Sequence, residues 1–152
     1  MIRIKLVCVG NLKEKFWEDA VSEYGKRLSK FCKLEIVEVK EQNKYDDIEK
    51  IKQLEGQGIL SQLEGKVYLL DLEGREVTSE VFASLIREDE ISSSTICFVI
   101  GGSYGVDSAV KQKIKDKISF GKMTYPHNLA RVVLIEQIYR AFMINSGAKY
   151  HK

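Results

Sequence analysis

At 152 residues, 44% of them hydrophobic, the chain can bury one sizeable core and is too short for two ordinary domains, which predicts a single domain over residues 1–152. No apolar run approaches the ~20 residues of a membrane span, and Met1–Gly10 reads as a strand rather than a basic and then apolar leader, so a cytoplasmic location without a membrane partner is expected. The net charge of +2 hides an asymmetry: residues 1–100 carry 15 Lys/Arg against 19 Asp/Glu and residues 101–152 carry 9 against 3, a balance that suits an anionic partner such as nucleic acid and equally a solvated basic face.

The stretch Ile2–Val9 is apolar and β-branched and stops at Gly10-Asn11, the pattern of a strand and its end. Phe16, Trp17, Ala20, Val21, Tyr24, Leu28 and Phe31 then recur at helical spacing with Lys and Glu between them. The unit repeats. Leu34–Val39 alternates as a strand, and residues 46–63 read as a helix through Ile48, Ile51, Leu54 and Leu60, weakened locally by Gly56 and Gly58. Lys66–Leu72 is a third strand ending at Glu73-Gly74, Thr78 can cap a helix holding Val81, Phe82, Leu85 and Ile86, and Thr95–Ile100 is a fourth strand. Alternating strands and helices of this length predict an α/β fold, a mainly parallel sheet with helices on both faces. Cys8, Cys32 and Cys97 are odd in number, far apart and set in apolar stretches, which reads as three small buried hydrophobes rather than disulfides. With only His127 and His151 besides, and neither at ligand spacing from a Cys or a second His, no metal site is expected.

The fourth strand runs straight into Gly101-Gly102-Ser103-Tyr104-Gly105-Val106, with Asp107 placed to cap the next helix. Glycines there let a ligand approach the backbone, and free amides at the following helix start can bind an anion. Strand C-terminal crevices of open α/β sheets are where ligands sit. The nucleotide signatures fail, however: there is no GK[ST], Gly-Gly-x-x-Gly is not GxGxxG, and Phe120–Pro126 stands where an acid about 20 residues on would be needed for a dinucleotide. As pure pattern the turn is as compatible with a tight strand-to-helix connection as with a ligand site.

After a short helix around Val110–Ile114, Ile118–Pro126 is strand-like, broken by Gly121 and stopped by the only proline of the chain. Asn128 can then cap a long helix to Asn145 whose apolar residues, among them Leu129, Val132, Val133, Ile135, Ile138, Tyr139, Phe142 and Met143, cover much of its circumference. Such a helix must be buried in the core or against a second subunit. Arg131 and Arg140 lie on it. Glu136, four residues before Arg140, is at ion-pair spacing, whereas Arg131 is open to a local partner, an RNA phosphate or a partner subunit.

Taken together, Phe98–Gly105, Thr124–His127, Arg131–Phe142 and Tyr150-His151-Lys152, with Val9-Gly10, Lys13–Lys15, Tyr24 and Leu70-Asp71-Leu72, resemble the RlmH family of ribosomal large-subunit pseudouridine methyltransferases over essentially the whole chain. The resemblance implies a minimal SPOUT fold with a C-terminal trefoil knot, which runs against the general rule of unknotted chains. It implies S-adenosyl-L-methionine (SAM) bound against Leu70, Gly101 and the loop Phe120, Gly121, Lys122, Met123, Thr124 and Tyr125, held largely by backbone groups. It further implies methylation of N3 of a pseudouridine in large-subunit ribosomal RNA, on the assembled ribosome, at a site built across a homodimer and without a metal.

In-line attack on a sulfonium methyl needs donor and base held at attack distance and the imide proton removed. His151 is the candidate to accept or relay that proton, with Tyr150 and Lys152 positioning the base or a phosphate, and Arg131 and Arg140 are candidates for RNA or the dimer interface. Proton transfer to bulk water or to a ribosomal group stays open beside His151. A non-enzymatic nucleic-acid-binding module and a flavodoxin-like regulatory domain are the rival readings.

Overall fold

Five strands and five helices alternate in the computed structural model, which describes residues 1–152: β1 Arg3–Val9, α1 Lys15–Leu28, β2 Lys33–Val39, α2 Ile48–Leu60, β3 Lys66–Glu76, α3 Ser79–Ser92, β4 Thr95–Ile100, α4 Ser108–Lys113, β5 Asp116–Ser119 and α5 His127–Asn145. The strands form one sheet in the order β2-β1-β4-β3-β5, and every pairing is parallel. That order departs from the 2-1-3-4-5 arrangement of flavodoxin-like sheets, which removes that alternative.

Of the three inner strands, β1 and β4 are buried almost end to end, as expected when helices cover both faces of a parallel sheet. Their alternation sorts the core into two layers. Ile4, Leu6, Cys8, Ile96, Phe98 and Ile100 point into a cluster that includes Leu28, Phe82, Ile86, Leu134, Ile135 and Ile138 from α1, α3 and α5. Val7, Val9, Cys97 and Val99 point the other way, into a smaller cluster with Ile59 of α2 and Val110 of α4. All three cysteines are free and buried, and burial pushes the Cys8 and Cys97 thiols up to about 11 and that of Cys32 to about 12, so they pack as hydrophobes and stay protonated. No helix is long and apolar enough to cross a membrane.

Local chemistry explains where elements start. Asp47 caps α2 by accepting the Glu49 amide, Thr78 caps α3 by accepting that of Val81, and Asp107 caps α4 by accepting that of Val110. The expected helix α2 runs unbroken through both glycines, and each has a close neighbour: a Cβ would stand 2.6 Å from Asp107 Oδ1 at Gly56 and 2.5 Å from Val39 Cγ1 on β2 at Gly58. Three expectations are corrected. Strand β3 does not stop at Gly74 but continues to Glu76 after a register shift, with Leu70 and Arg75 both opposite Ile118. Helix α5 begins one residue before Asn128, with Pro126 as its cap residue, because proline's fixed φ and missing N–H suit a helix start. Phe16 on α1 is 62% exposed and tilts against Trp17 instead of facing the core.

Candidate active site

Three chain segments meet at the C-terminal ends of β3, β4 and β5 and enclose a cavity of about 770 Å³. The first is the shifted part of β3: Leu70, Asp71 and Leu72 line the cavity, and Gly74 lies so close to β5 that a Cβ there would stand 2.8 Å from the Ile118 backbone. The second is the turn Gly101–Val106, closed by the Gly105 N–H donating to the Gly102 carbonyl at 3.0 Å. The third runs from Ile118 to His127. It is shaped by Ser119, whose Oγ donates to the Gly121 carbonyl at 2.8 Å and accepts the Gly121 N–H at 3.1 Å. Lys52 from α2 and Lys111 from α4 add two cations to a lining that is otherwise largely apolar and backbone. Phe120 and Tyr125 also border a second groove of about 330 Å³ beside Thr78, Ser79, Val133 and Gln137.

Seven of the eight residues expected at the cofactor line this cavity: Leu70, Gly101, Phe120, Gly121, Met123, Thr124 and Tyr125. Lys122 is the exception. It is exposed and outside the lining. The helix-start amide of Val110 is committed to Asp107 rather than free for an anion.

Tyr150, His151 and Lys152 do not line the cavity. Tyr150 and His151 lie instead in a polar cluster between α3 and α5. Arg140 pairs with Glu136 at 2.8 Å and lies over the Tyr150 ring, 4.7 Å from its centroid. The Tyr150 hydroxyl donates to Glu136 Oε1 at 3.1 Å, and burial followed by that bond raises its pKa. His151 stands between Arg140 Nη1, 3.1 Å from its Nδ1, and Glu80 Oε1, 2.7 Å from its Nε2. Hydrogen bonding to His151 is the main cause of a lowered Glu80 pKa.

Arg131 is not held at the surface for RNA or a partner subunit. It is 2% exposed, with Nη1 2.9 Å from Glu38 Oε2 and Nη2 donating to the Gly10 carbonyl at 3.1 Å, because α5 passes over the C-terminal ends of β1 and β2. Of the three partners left open for it, the local one is seen.

The comparisons with known proteins bear on this arrangement. Residues 2–151 match the family model described as Predicted SPOUT methyltransferase. The chain belongs to the SPOUT methyltransferase family. It is 52% identical to a protein of Lactobacillus acidophilus named Ribosomal RNA large subunit methyltransferase H, over 99% of this chain and the whole of that protein. Relatives of the same name from Lactobacillus helveticus and Streptococcus pneumoniae are 51% and 44% identical over the same shares.

Within this SPOUT methyltransferase, sequence reasoning missed several cavity residues. Ser103, Tyr104 and Gly105 were visible only as part of a glycine turn where a ligand could approach, and His127 only as the neighbour of Pro126. Lys52 and Lys111 sit on helices far from the motifs in sequence, and only the fold brings them to the rim. Glu80 carried no signal beyond its place in the first turn of α3.

Proposed function

We propose that this SPOUT methyltransferase transfers the methyl group of SAM to N3 of a pseudouridine in large-subunit ribosomal RNA, on the assembled ribosome in the cytoplasm, working as a homodimer with a knotted C-terminal segment. The observation that carries the reading is the cavity at the C-terminal ends of β3, β4 and β5, built from the residues that the family resemblance assigns to the cofactor. Its volume falls in the ordinary range for sites that bury a small organic ligand, and its lining is mainly apolar with a few polar groups, which suits a nucleoside carrying an amino-acid arm. Leu70, Gly101, Phe120, Gly121, Met123, Thr124 and Tyr125 would hold SAM, and Lys52 and Lys111 match the charge of its carboxylate. Bound there, SAM supplies an electrophilic sulfonium methyl.

The chain's own residues have to orient the base and take its imide proton. Arginine only donates, so Arg140 beside Nδ1 assigns the His151 ring proton to Nε2, facing Glu80. This leaves Nδ1 as the basic nitrogen of the tail, able to receive a proton when the guanidinium shifts toward Glu136. Because Tyr150 and His151 lie away from their own cavity, we assign them to the cavity of a second copy. Leu129, Val132, Val133 and Met143, half-buried on α5 and outside both core clusters, supply an apolar face for that contact. Exposed Lys122 and Lys152 are available to RNA phosphates.

The test is transfer of labelled methyl from SAM to unmethylated ribosomes and to separated subunits, with the product nucleotide located by mass spectrometry. Label on N3 of one large-subunit pseudouridine is the expected result. SAM binding without label would overturn the substrate, and absence of SAM binding would overturn the cofactor assignment and favour a non-enzymatic RNA-binding module.

A further inference from the structure

Helix α2 meets the ligand-bearing turn at three nearby positions. Lys52 lines the cavity. One turn later Glu55 is 3% exposed despite being a carboxylic acid. Gly56 follows, where a Cβ would stand 2.6 Å from Oδ1 of Asp107, the residue that caps α4 directly after the turn. This helix therefore backs the segment Gly101–Asp107.

Glu55 is the unexplained member of the set. Its Oε2 accepts the backbone N–H of Gln42 at 3.0 Å, and its Oε1 is buried without any hydrogen-bond partner. The direction of Oε1 is given by Gly102: a Cβ built there would lie 2.9 Å from it, and no side chain could be accommodated without displacing the carboxyl group. A buried polar oxygen without a partner is costly, and an apolar residue of similar size would avoid that cost. Burial raises the Glu55 pKa, the Gln42 N–H works against the rise, and the charge of Glu41 adds to it. The group is thus biased toward its neutral form, with one oxygen on Gln42 and a second polar atom under Gly102.

We propose that Glu55 is a positioning residue for the cofactor: its carboxyl group, anchored by the Gln42 N–H, packs against the underside of Gly102 and holds the Gly101–Gly105 turn in the shape that binds SAM. The inference rests on the reading of the cavity as the SAM site. A turn of glycines has little of its own to fix its conformation, and apart from Asp107 at its end the one internal bond is that between Gly105 and Gly102. A carboxamide at position 55 offers the same shape, an oxygen for Gln42 and a polar group under Gly102. A thioether of the same length offers neither.

The experiment is titration calorimetry of the full chain with SAM for the wild type, Glu55→Gln, Glu55→Met and Glu55→Ala, with circular dichroism to establish folding and amide hydrogen exchange on the ligand-free proteins. Glu55→Gln is expected to bind within about threefold of the wild type, and Glu55→Met or Glu55→Ala about tenfold or more weakly, the scale of one net hydrogen bond. In those two variants the amides of Gln42 and Gly105 should exchange faster while those of β1 and β4 do not change. Either truncating variant, folded and binding SAM like the wild type, overturns the proposal, as does an equal loss in the Gln and Met variants. A wild type that binds no SAM overturns the reading of the cavity and this inference with it.

Discussion

Arg140 Nη1 lies 3.1 Å from Nδ1 of His151, while the opposite nitrogen of the ring faces Glu80 at 2.7 Å. Two elements distant in sequence, α3 and α5, thereby fix both the orientation and the tautomer of one imidazole. If that imidazole handles the imide proton, Glu80→Gln should lower kcat for methyl transfer by roughly tenfold, a part of what one general base contributes, with KM for SAM unchanged. Glu80 is exposed, so the melting temperature should not move. Stopped-flow or single-turnover transfer at saturating SAM measures the first quantity and circular dichroism the second. A fall in thermal stability with normal kcat would make the pair structural.

The ion pair between Arg131 and Glu38 is lopsided: the arginine side chain is 2% exposed and the glutamate 40%. Removing Glu38 strands a buried guanidinium, whereas removing Arg131 leaves a carboxylate that can turn to water and orphans the Gly10 carbonyl. Glu38→Ala is therefore expected to cost about 3 kcal/mol, far more than a half-exposed side chain usually does, and the double change with Arg131→Met should recover part of it. Urea unfolding at neutral pH gives both values. A cost below about 1 kcal/mol for Glu38→Ala would mean that the pair is no better than a surface one.

How far the sequence spoke depends on how local the physics was. Strands β1 and β4 and caps Thr78 and Asp107 are properties of a few neighbouring residues, and on α1 the core-facing positions Val21, Tyr24 and Leu28 were legible, whereas the exposure of Phe16 is decided by packing alone. Around the cavity, the glycine turn was legible as a place where a ligand could approach and Ile118–Pro126 as a shaped loop, whereas the assignment of Leu70, Gly101 and Phe120–Tyr125 to a cofactor came only through family resemblance. Illegible were the continuation of β3 past Gly74, which depends on pairing with β5, and the burial of Arg131, which depends on Glu38 and Gly10 lying beneath α5. The proposed knot and partner subunit are long-range features of the same kind, and only the family resemblance implies them.

Burial of Glu55 has a consequence for stability as well as for ligand binding. Folding raises this carboxyl's pKa, so its contribution is fully present below the ordinary unfolded value of about 4.3 and is lost as the pH rises through the higher folded value. Glu55→Gln cannot ionise. The variant should match the wild type near pH 4 and exceed it in melting temperature at pH 8, and thermal melts across that range would show the curves diverging with rising pH. Parallel curves would mean that the carboxylate is solvated in the folded state.

Of residues 150–152, Tyr150 contacts α5 and His151 contacts α5 and α3, and none of the three lines the cavity. Tyr150 packs edge-on against Tyr139, with ring centroids 5.0 Å apart, beneath Arg140. Their removal should leave SAM affinity within about twofold and reduce methyl transfer by at least about 100-fold, the lower bound for loss of a general base. Calorimetry with SAM and transfer to ribosomes separate the two effects. Unchanged turnover would return the tail to a packing role, and loss of SAM binding would place it in the cofactor site.

Gly101 offers the sharpest test of where the cofactor lies. A Cβ there would stand 2.8 Å from Val106 Cγ1 and 3.0 Å from the Gly105 carbonyl carbon, so any side chain forces the turn open from inside. Gly101→Val adds a branched group at the end of a fully buried strand, where the sheet cannot yield and the loop can. The distortion should fall on Ser103–Gly105 and reduce SAM affinity by at least about 100-fold, close to 3 kcal/mol, while helix content and the β1–β4 pairing persist. Calorimetry and far-ultraviolet circular dichroism on the same sample decide the matter: retained affinity would move SAM away from this turn, and lost helix content would show that Gly101 supports the fold before it supports the ligand.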